Sequence, residues 1–292
     1  MSLIQSILMG ILQGLTEFLP VSSSGHLAIF KYLFHVNTDT GLLFDVLLHL
    51  GTLAAVCIVY WKDIWKLIYS FIQMIIALVM NLKIFITSRR SGTRPVYQKI
   101  ITNAYKKFVL MIIVTTIPTG IIGLLLKNVI ESASNSLLVP GVCLVITAII
   151  LLLSDARIDG HKKIKASGYK DAALVGVAQG IATLPGISRS GTTITACLLL
   201  GFDRAFAVRY SFIASLPAIL GANILELREF SSAAVTGGLV GIYLVGMAVA
   251  GVVGYICIKA MIYFVKSNKF KYFAYYCAAA GVVCIIYYFV KG

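Results

Sequence analysis

Residues 13–26 read Gln-Gly-Leu-Thr-Glu-Phe-Leu-Pro-Val-Ser-Ser-Ser-Gly-His, and residues 179–193 read Gln-Gly-Ile-Ala-Thr-Leu-Pro-Gly-Ile-Ser-Arg-Ser-Gly-Thr-Thr. The two stretches are copies of one another, because a shift of 166 residues lays 5–25 over 171–191 without a gap and makes seven of 21 positions identical. In each copy a proline, Pro20 or Pro185, stops an apolar segment, and a second apolar segment follows. Since proline interrupts helical hydrogen bonding, each copy predicts a helix, a break and another helix.

The composition around these copies is that of a membrane protein. Of the 292 residues, 59% are hydrophobic and only 12% are charged, whereas soluble domains carry about 25% charged residues. Apolar runs at 108–126, 137–153 and 235–258 reach or approach the ~20 residues that cross a bilayer core. Lysine and arginine in cytoplasmic loops account for the net charge of +14, so we expect membrane lipids rather than nucleic acid as partners.

Three strongly basic loops set the expected topology. Residues 83–107 hold seven Lys or Arg and no acid, 155–170 hold five against two acids, and 259–271 hold four and no acid. The positive-inside rule places all three loops in the cytoplasm. The transmembrane helices predicted on this basis are 42–60, 108–126, 137–154, 207–224, 236–258 and 272–290. The apolar stretch 67–82 is predicted to continue the first of them or to lie at the interface, because a crossing there would put the most basic loop outside.

The predicted fold is an all-α polytopic membrane protein, a single membrane domain over 1–292 with six transmembrane helices and two re-entrant helical hairpins. The hairpins are expected at 2–30 and 171–201, because broken backbone at membrane depth is tolerated where protein shields it or where it lines a wet cavity. Three crossings follow each hairpin, and three is odd, so the hairpins enter from opposite faces. This is an inverted-topology repeat, with repeat 1 at about 1–126 and repeat 2 at about 171–292.

Ionisable side chains within the hairpins predict the site. Glu17, His26 and Arg189 are costly to bury in apolar surroundings, which makes them functional candidates. Serine and glycine at helix starts offer hydroxyl and backbone N–H groups to an anion. The residues predicted to bind substrate in this way are Ser22, Ser24, Gly25, Ser188, Ser190, Gly191 and Thr193.

This set of groups suits a diphosphate. Arg189 offers a planar fork to phosphate oxygens, and Glu17, which shares a helical face with Gln13, can hold a divalent cation. Either Ser23 or His26 can attack phosphorus. We predict Ser23 as the nucleophile and His26, one turn further on, as its base, with direct attack by His26 as the alternative.

Residues 17–26 and 185–193 resemble the two signature motifs of the bacitracin-resistance undecaprenyl-diphosphatase family, and 44–53 and 209–218 resemble further stretches of it. The resemblance implies that undecaprenyl diphosphate is hydrolysed to undecaprenyl phosphate and phosphate with Mg²⁺ or Ca²⁺, held mainly by Glu17 and also by Gln13. It also implies a homodimer in the bacterial inner (cytoplasmic) membrane, with a site that opens to the outer, periplasmic face. The expected roles are recycling of the lipid carrier for peptidoglycan synthesis and bacitracin resistance.

A carrier is the alternative function, because inverted repeats with broken helices also occur in transporters. On that hypothesis the two hairpins bind a polyprenyl phosphate and move it across the bilayer as a flippase does. A carrier has no need of a nucleophile and a base, and Ser23, His26 and Glu17 offer both. The sequence therefore favours the hydrolase.

Overall fold

A computed structural model describes residues 1–33, 41–134, 136–155, 160–229, 237–267 and 269–291, so the first residue of the predicted 236–258 helix lies outside the described residues. Within these ranges the chain is helical and has no strand, apart from one isolated bridge between Lys162 and Phe202. The helices of the described ranges are α1 (Leu3–Phe18), α2 (Ser23–Leu33), α3 (Gly41–Val59), α4 (Trp61–Ser91), α5 (Ala104–Leu125), α6 (Lys127–Ser134), α7 (Leu138–Asp155), α8 (Tyr169–Ile181), α9 (Arg189–Leu199), α10 (Arg204–Glu229), α11 (Gly237–Lys266) and α12 (Phe270–Lys291).

Six of the described helices are long and apolar enough to cross a membrane, namely α4, α5, α7, α10, α11 and α12. The count of six matches the prediction, and five of the helices coincide with predicted crossings. The sixth differs. Helix α3 occupies the predicted 42–60 segment but is one of the shorter apolar helices, whereas α4 takes in the stretch 67–82 that we expected to lie outside the set of crossings.

Helix α4 is a candidate membrane-spanning helix because most of its surface is apolar. Its buried side chains form one narrow stripe of Leu67, Ser70, Met74 and Ala77. The rest of its middle turns is exposed and mostly aliphatic or aromatic. A helix that lies along the interface needs a polar face opposite its apolar one, and residues 67–82 carry no such face.

The two predicted helix breaks lie where the prolines put them. Helix α1 ends at Phe18, and α2 begins at Ser23 after a turn in which Ser22 has φ of 70°. Helix α8 ends at Ile181, and α9 begins at Arg189 after a turn in which Gly186 has φ of 96°. Left-handed backbone is costly for a residue with a side chain, so the turn at Ser22 is held by its surroundings.

The first helix of each broken pair packs tightly on a long helix of the other half of the chain. A Cβ added at Gly10 of α1 would strike the carbonyl oxygen of Gly246 on α11. A Cβ added at Gly176, the repeat equivalent of Gly10, would strike the carbonyl oxygen of Thr115 on α5. The two identical glycines therefore serve the same purpose, which is close backbone approach between helices.

The two breaks also contact each other reciprocally. A Cβ on Gly25 would lie 3.0 Å from the Cα of Gly186, and a Cβ on Gly191 would lie 3.1 Å from the Cβ of Pro20. The 166-residue shift turns each of these contacts into the other. Both turns, with the first turns of α2 and α9, therefore meet at one place in the fold.

Cysteine labelling tests the orientation of these helices. Single cysteines placed between Ser88 and Pro95 are expected to react with a membrane-impermeant maleimide only after permeabilisation, because the basic loop is predicted to be cytoplasmic. Cysteines placed at 226–232, part of which lies outside the described residues, are expected to react in intact cells. The unmodified chain, with its own six cysteines, is the control. Labelling of 88–95 in intact cells would contradict the predicted orientation.

Candidate active site

Glu17 is the centre of a buried polar cluster formed by the two breaks. Its Oε1 accepts a hydrogen bond of 2.5 Å from Nη2 of Arg189, and its Oε2 accepts one of 2.6 Å from the hydroxyl of Ser23. Only 5% of the Glu17 side chain and 16% of the Arg189 side chain are exposed. Glu17 is the last residue but one of α1, Ser23 begins α2, and Arg189 begins α9, so the two breaks bring the three groups together.

Gln13 is the fourth member of this cluster. One turn before Glu17 on α1, its Nε2 donates to Oε2 of Glu17 at 3.1 Å, and the residue is fully buried. The carboxylate therefore accepts from an amide, a hydroxyl and a guanidinium. Breaking a buried ion pair by removing one partner costs about 3–5 kcal/mol, so loss of the Arg189 charge would strain the fold as well as the site.

Two buried atoms of the cluster have no partner among the described residues, and they differ in chemical character. Nη1 of Arg189 is a donor without an acceptor, and Oε1 of Gln13 is an acceptor without a donor. Buried polar atoms are rarely left unpaired, and each exception calls for an explanation such as a missing ion or ligand. The first atom can take an oxygen of an anion, and the second can take a cation.

Two of the residues predicted to bind substrate, Ser22 and Ser188, cap the two helix starts in the structure. Ser22 accepts from the backbone N–H of Gly25 at 3.4 Å, and Ser188 accepts from that of Gly191 at 3.1 Å. Both serines are buried. These are N-cap bonds, so in the structure the two hydroxyls are turned to their own helices.

The other predicted binding residues divide between interior and surface. Ser190 is buried and points to the carbonyl of Leu19, and Thr193 is buried against Ser211 and the carbonyl of Arg189. Ser24 is exposed. Of the predicted binding set, Ser24 is thus the side chain that the structure leaves accessible, and the role of each member stays a prediction.

The predicted Ser23–His26 pair is not hydrogen-bonded in the structure. Ser23 donates to Glu17, while Nδ1 of His26 lies 2.8 Å from the carbonyl oxygen of Ser22 and Nε2 lies 2.7 Å from the hydroxyl of Tyr276. The reason is that α2 begins at Ser23. The imidazole turns back onto the carbonyl of Ser22, while the Ser23 hydroxyl faces across the break. The base that Ser23 contacts is therefore Glu17.

Two side chains at the site were missed from the sequence. Nε2 of His49 on α3 lies 4.0 Å from Oε2 of Glu17, and its Nδ1 bonds the carbonyl of Asp45. An ionisable residue in an apolar helix was the available signal, and 44–53 also belongs to the stretches that resemble the family. Tyr276 on α12 had no such signal, since tyrosines are frequent in 272–288.

The comparisons with known proteins cover nearly the whole chain. A family model described as "Bacitracin resistance protein BacA" matches residues 6–283, a range that contains every site residue named above. A protein of Methanosphaera stadtmanae named undecaprenyl-diphosphatase is 39% identical over 98% of both chains. Proteins of the same name from Alkaliphilus metalliredigens and Treponema denticola are 40% and 41% identical, and the matches cover 98–99% of each chain.

Proposed function

The chain belongs to the family of the bacitracin resistance protein BacA, and on that premise we propose that it hydrolyses undecaprenyl diphosphate to undecaprenyl phosphate and inorganic phosphate. One observation carries the proposal beyond family membership. A serine hydroxyl donates to a buried carboxylate that is paired with an arginine, and the second terminal nitrogen of that arginine, Nη1 of Arg189, has no partner in the described structure. This arrangement offers a nucleophile, a base and an anion clamp at one point.

In the proposed first step, Oγ of Ser23 attacks the terminal phosphorus as its proton passes to Oε2 of Glu17. The bond from phosphorus to the bridging oxygen breaks, and undecaprenyl phosphate leaves. Arg189 binds a non-bridging oxygen through Nη1, where negative charge must be held in the transition state. Water then attacks the phosphoserine, Oγ takes its proton back from Glu17, and water gives one proton to the phosphate and one to solvent.

We also propose that a divalent cation, Mg²⁺ or Ca²⁺, is held by Glu17 and Gln13. The fit rests on oxygen donors, because Oε1 of Gln13 is buried without a partner and Glu17 is a carboxylate. Among the described residues no group of three His, Cys, Asp or Glu could hold a metal ion. Mg²⁺ commonly takes one or two protein ligands and completes its shell with substrate phosphates and water. When bound, such an ion neutralises phosphate charge.

A matched pair of glutamines tests the cation site. Gln13→Ala is expected to raise the Mg²⁺ concentration for half-maximal rate at least about tenfold, because it removes a ligand oxygen. Gln179→Ala is the control, since Gln179 is the repeat equivalent, is equally buried and also has an unpartnered Oε1. The measurement is phosphate release against Mg²⁺ concentration. Equal shifts in both variants would assign the effect to packing and would remove Gln13 from the cation site.

The architecture that we propose for this reaction is the inverted repeat, with re-entrant hairpins at 2–30 and 171–201 in a single membrane domain. The reciprocal contacts of the two breaks and the matching glycine contacts of α1 and α8 support it. The basic loops support the proposed orientation of the helices, and from the family resemblance we propose that the site opens to the periplasmic face of the inner membrane. The proposed cellular roles are carrier recycling for peptidoglycan synthesis and bacitracin resistance, and we propose a homodimer as the assembled form.

The test is phosphate release by the purified protein. Farnesyl or undecaprenyl diphosphate is supplied with and without a chelator, and inorganic phosphate is measured together with the lipid product. We expect one phosphate per lipid monophosphate and loss of the reaction with chelator. A protein that moves the lipid between vesicle leaflets without releasing phosphate would be a carrier, and that result would overturn the proposal.

A further inference from the structure

The hydrogen bonds of His26 fix which of its ring nitrogens is basic. A backbone carbonyl can only accept, so Nδ1, which lies 2.8 Å from the Ser22 oxygen, carries a hydrogen. In the neutral ring Nε2 is then the acceptor, and the Tyr276 hydroxyl at 2.7 Å donates to it. The basic nitrogen of His26 is therefore covered by a residue from the last helix of the chain.

The planes of the two rings are also nearly parallel. Their centroids are 5.6 Å apart and their planes differ by 13°. The hydrogen bonds at Nε2 and Nδ1 leave the imidazole little freedom to rotate, since Tyr276 and the Ser22 carbonyl hold two different edges of the ring.

His26 and Tyr276 differ in their exposure. His26 is 9% exposed, whereas Tyr276 is 49% exposed on α12, one of the helices able to cross a membrane. The hydrogen bond therefore joins a buried imidazole to a partly exposed side chain on a different helix.

We propose that Tyr276 is a positioning residue for the reaction: its hydrogen bond to Nε2 fixes the ring of His26, whose Nδ1 holds the Ser22 carbonyl directly before the proposed nucleophile Ser23. The inference rests on the proposed phosphatase function for its kinetic part only. Tyr276 acts through His26, so its effect depends on the presence of the imidazole.

A double-mutant cycle tests this dependence. Tyr276→Phe keeps the ring and removes the hydroxyl, and we expect kcat to fall about five- to tenfold with KM changed less than twofold. Added to His26→Ala, the same change is expected to have no further effect, because the group it positions is gone. The control is Tyr275→Phe, whose side chain is 61% exposed on the same helix, and we expect wild-type kinetics from it. Equal effects of Tyr276→Phe with and without His26 would overturn the proposal.

Chemical labelling supplies a readout that needs no turnover. Diethyl pyrocarbonate acylates an unprotonated imidazole nitrogen, and the extent at each histidine can be followed by mass spectrometry. We expect His26 to react several times faster in Tyr276→Phe than in the wild type, while the exposed His161 reacts equally in both. An unchanged His26 rate would contradict the proposed contact. If the wild type releases no phosphate but the labelling result holds, the proposed function fails and the positioning contact stands.

Discussion

Replacing Arg189 with lysine is expected to lower kcat at least about a hundredfold while the protein still folds. In the structure Nη2 binds Glu17 and Nη1 has no partner among the described residues, so the planar fork can serve the carboxylate and, as we propose, a phosphate oxygen at once. An ammonium group keeps the charge but is a single point, and it cannot span both positions in the same geometry. Loss of one preorganised donor to a developing charge costs about 10²–10³ in rate.

A second arginine provides the control for this change. Arg209 of α10 is also partly buried and also donates to a carboxylate on another helix, Asp63, at 2.6 Å. Arg209→Lys is expected to keep its turnover, because that pair lies outside the site. Thermal unfolding of both variants separates folding from catalysis. Near-wild-type turnover of Arg189→Lys would remove Arg189 from the reaction, and a loss shared by both variants would indicate a general need for arginine in buried pairs.

The choice of lysine rather than alanine follows from the burial of the pair. Arg189→Ala would leave the Glu17 carboxylate without its charge partner in a site where 5% of that side chain is exposed. An uncompensated buried charge costs several kcal/mol. Loss of activity in that variant would therefore not distinguish unfolding from a defect in the reaction. Lysine keeps the charge and removes only the fork.

The sequence was enough to find the two breaks and the residues that meet at them. Proline at positions 20 and 185, and the 166-residue repeat, predicted two helix–break–helix units, and the structure has both breaks. The buried charges Glu17 and Arg189 were recognised because apolar surroundings make such residues costly unless they are paired. The structure pairs these two with each other.

The contacts across the breaks could not be predicted from spacing. Ser23 and His26 share a helical face in a continuous helix, but α2 begins at Ser23, and a first-turn side chain can turn toward the break. The partner of each residue then depends on tertiary position. Glu17 reaches Ser23 across the turn, and Tyr276 reaches His26 from a helix 250 residues away. Neither contact can be predicted from the spacing of residues along one helix.

The serine-rich runs are a second case in which the sequence pattern fits two structural roles. Serine before a helix start suits an anion site and an N-cap equally well, because both use the free N–H groups of the first turn. The structure uses Ser22 and Ser188 as caps. The predicted crossings carry a similar ambiguity. The positive charge of the loop 83–107 argued against a crossing at 67–82, whereas α4, which contains this stretch, is long and apolar enough to cross a membrane.

Replacing Ser23 with alanine is expected to abolish phosphate release, to below about a thousandth of the wild-type rate, because the attacking oxygen is lost. The structure supports serine as the nucleophile through its 2.6 Å bond to Glu17, a carboxylate placed to accept the proton. Ser24→Ala is the control, since the adjacent hydroxyl is exposed and does not contact Glu17 among the described bonds. Because Ser24 belongs to the predicted substrate-binding set, we expect Ser24→Ala to raise KM while kcat stays within about twofold of the wild-type value.

The phosphoenzyme separates the two candidate nucleophiles directly. With Ser23 as nucleophile, Glu17→Gln slows the reaction by removing the base, and any phosphoenzyme trapped from labelled substrate survives acid, as phosphoserine does. With His26 as nucleophile, the phosphoenzyme is acid-labile and Ser23→Ala keeps a substantial fraction of the rate. The Tyr276 hydroxyl covers Nε2 of His26 in the structure and Nδ1 faces the Ser22 carbonyl, so neither nitrogen is free to attack until one of these bonds breaks. Because Ser23 needs no such rearrangement, the acid-stable product is the expected one.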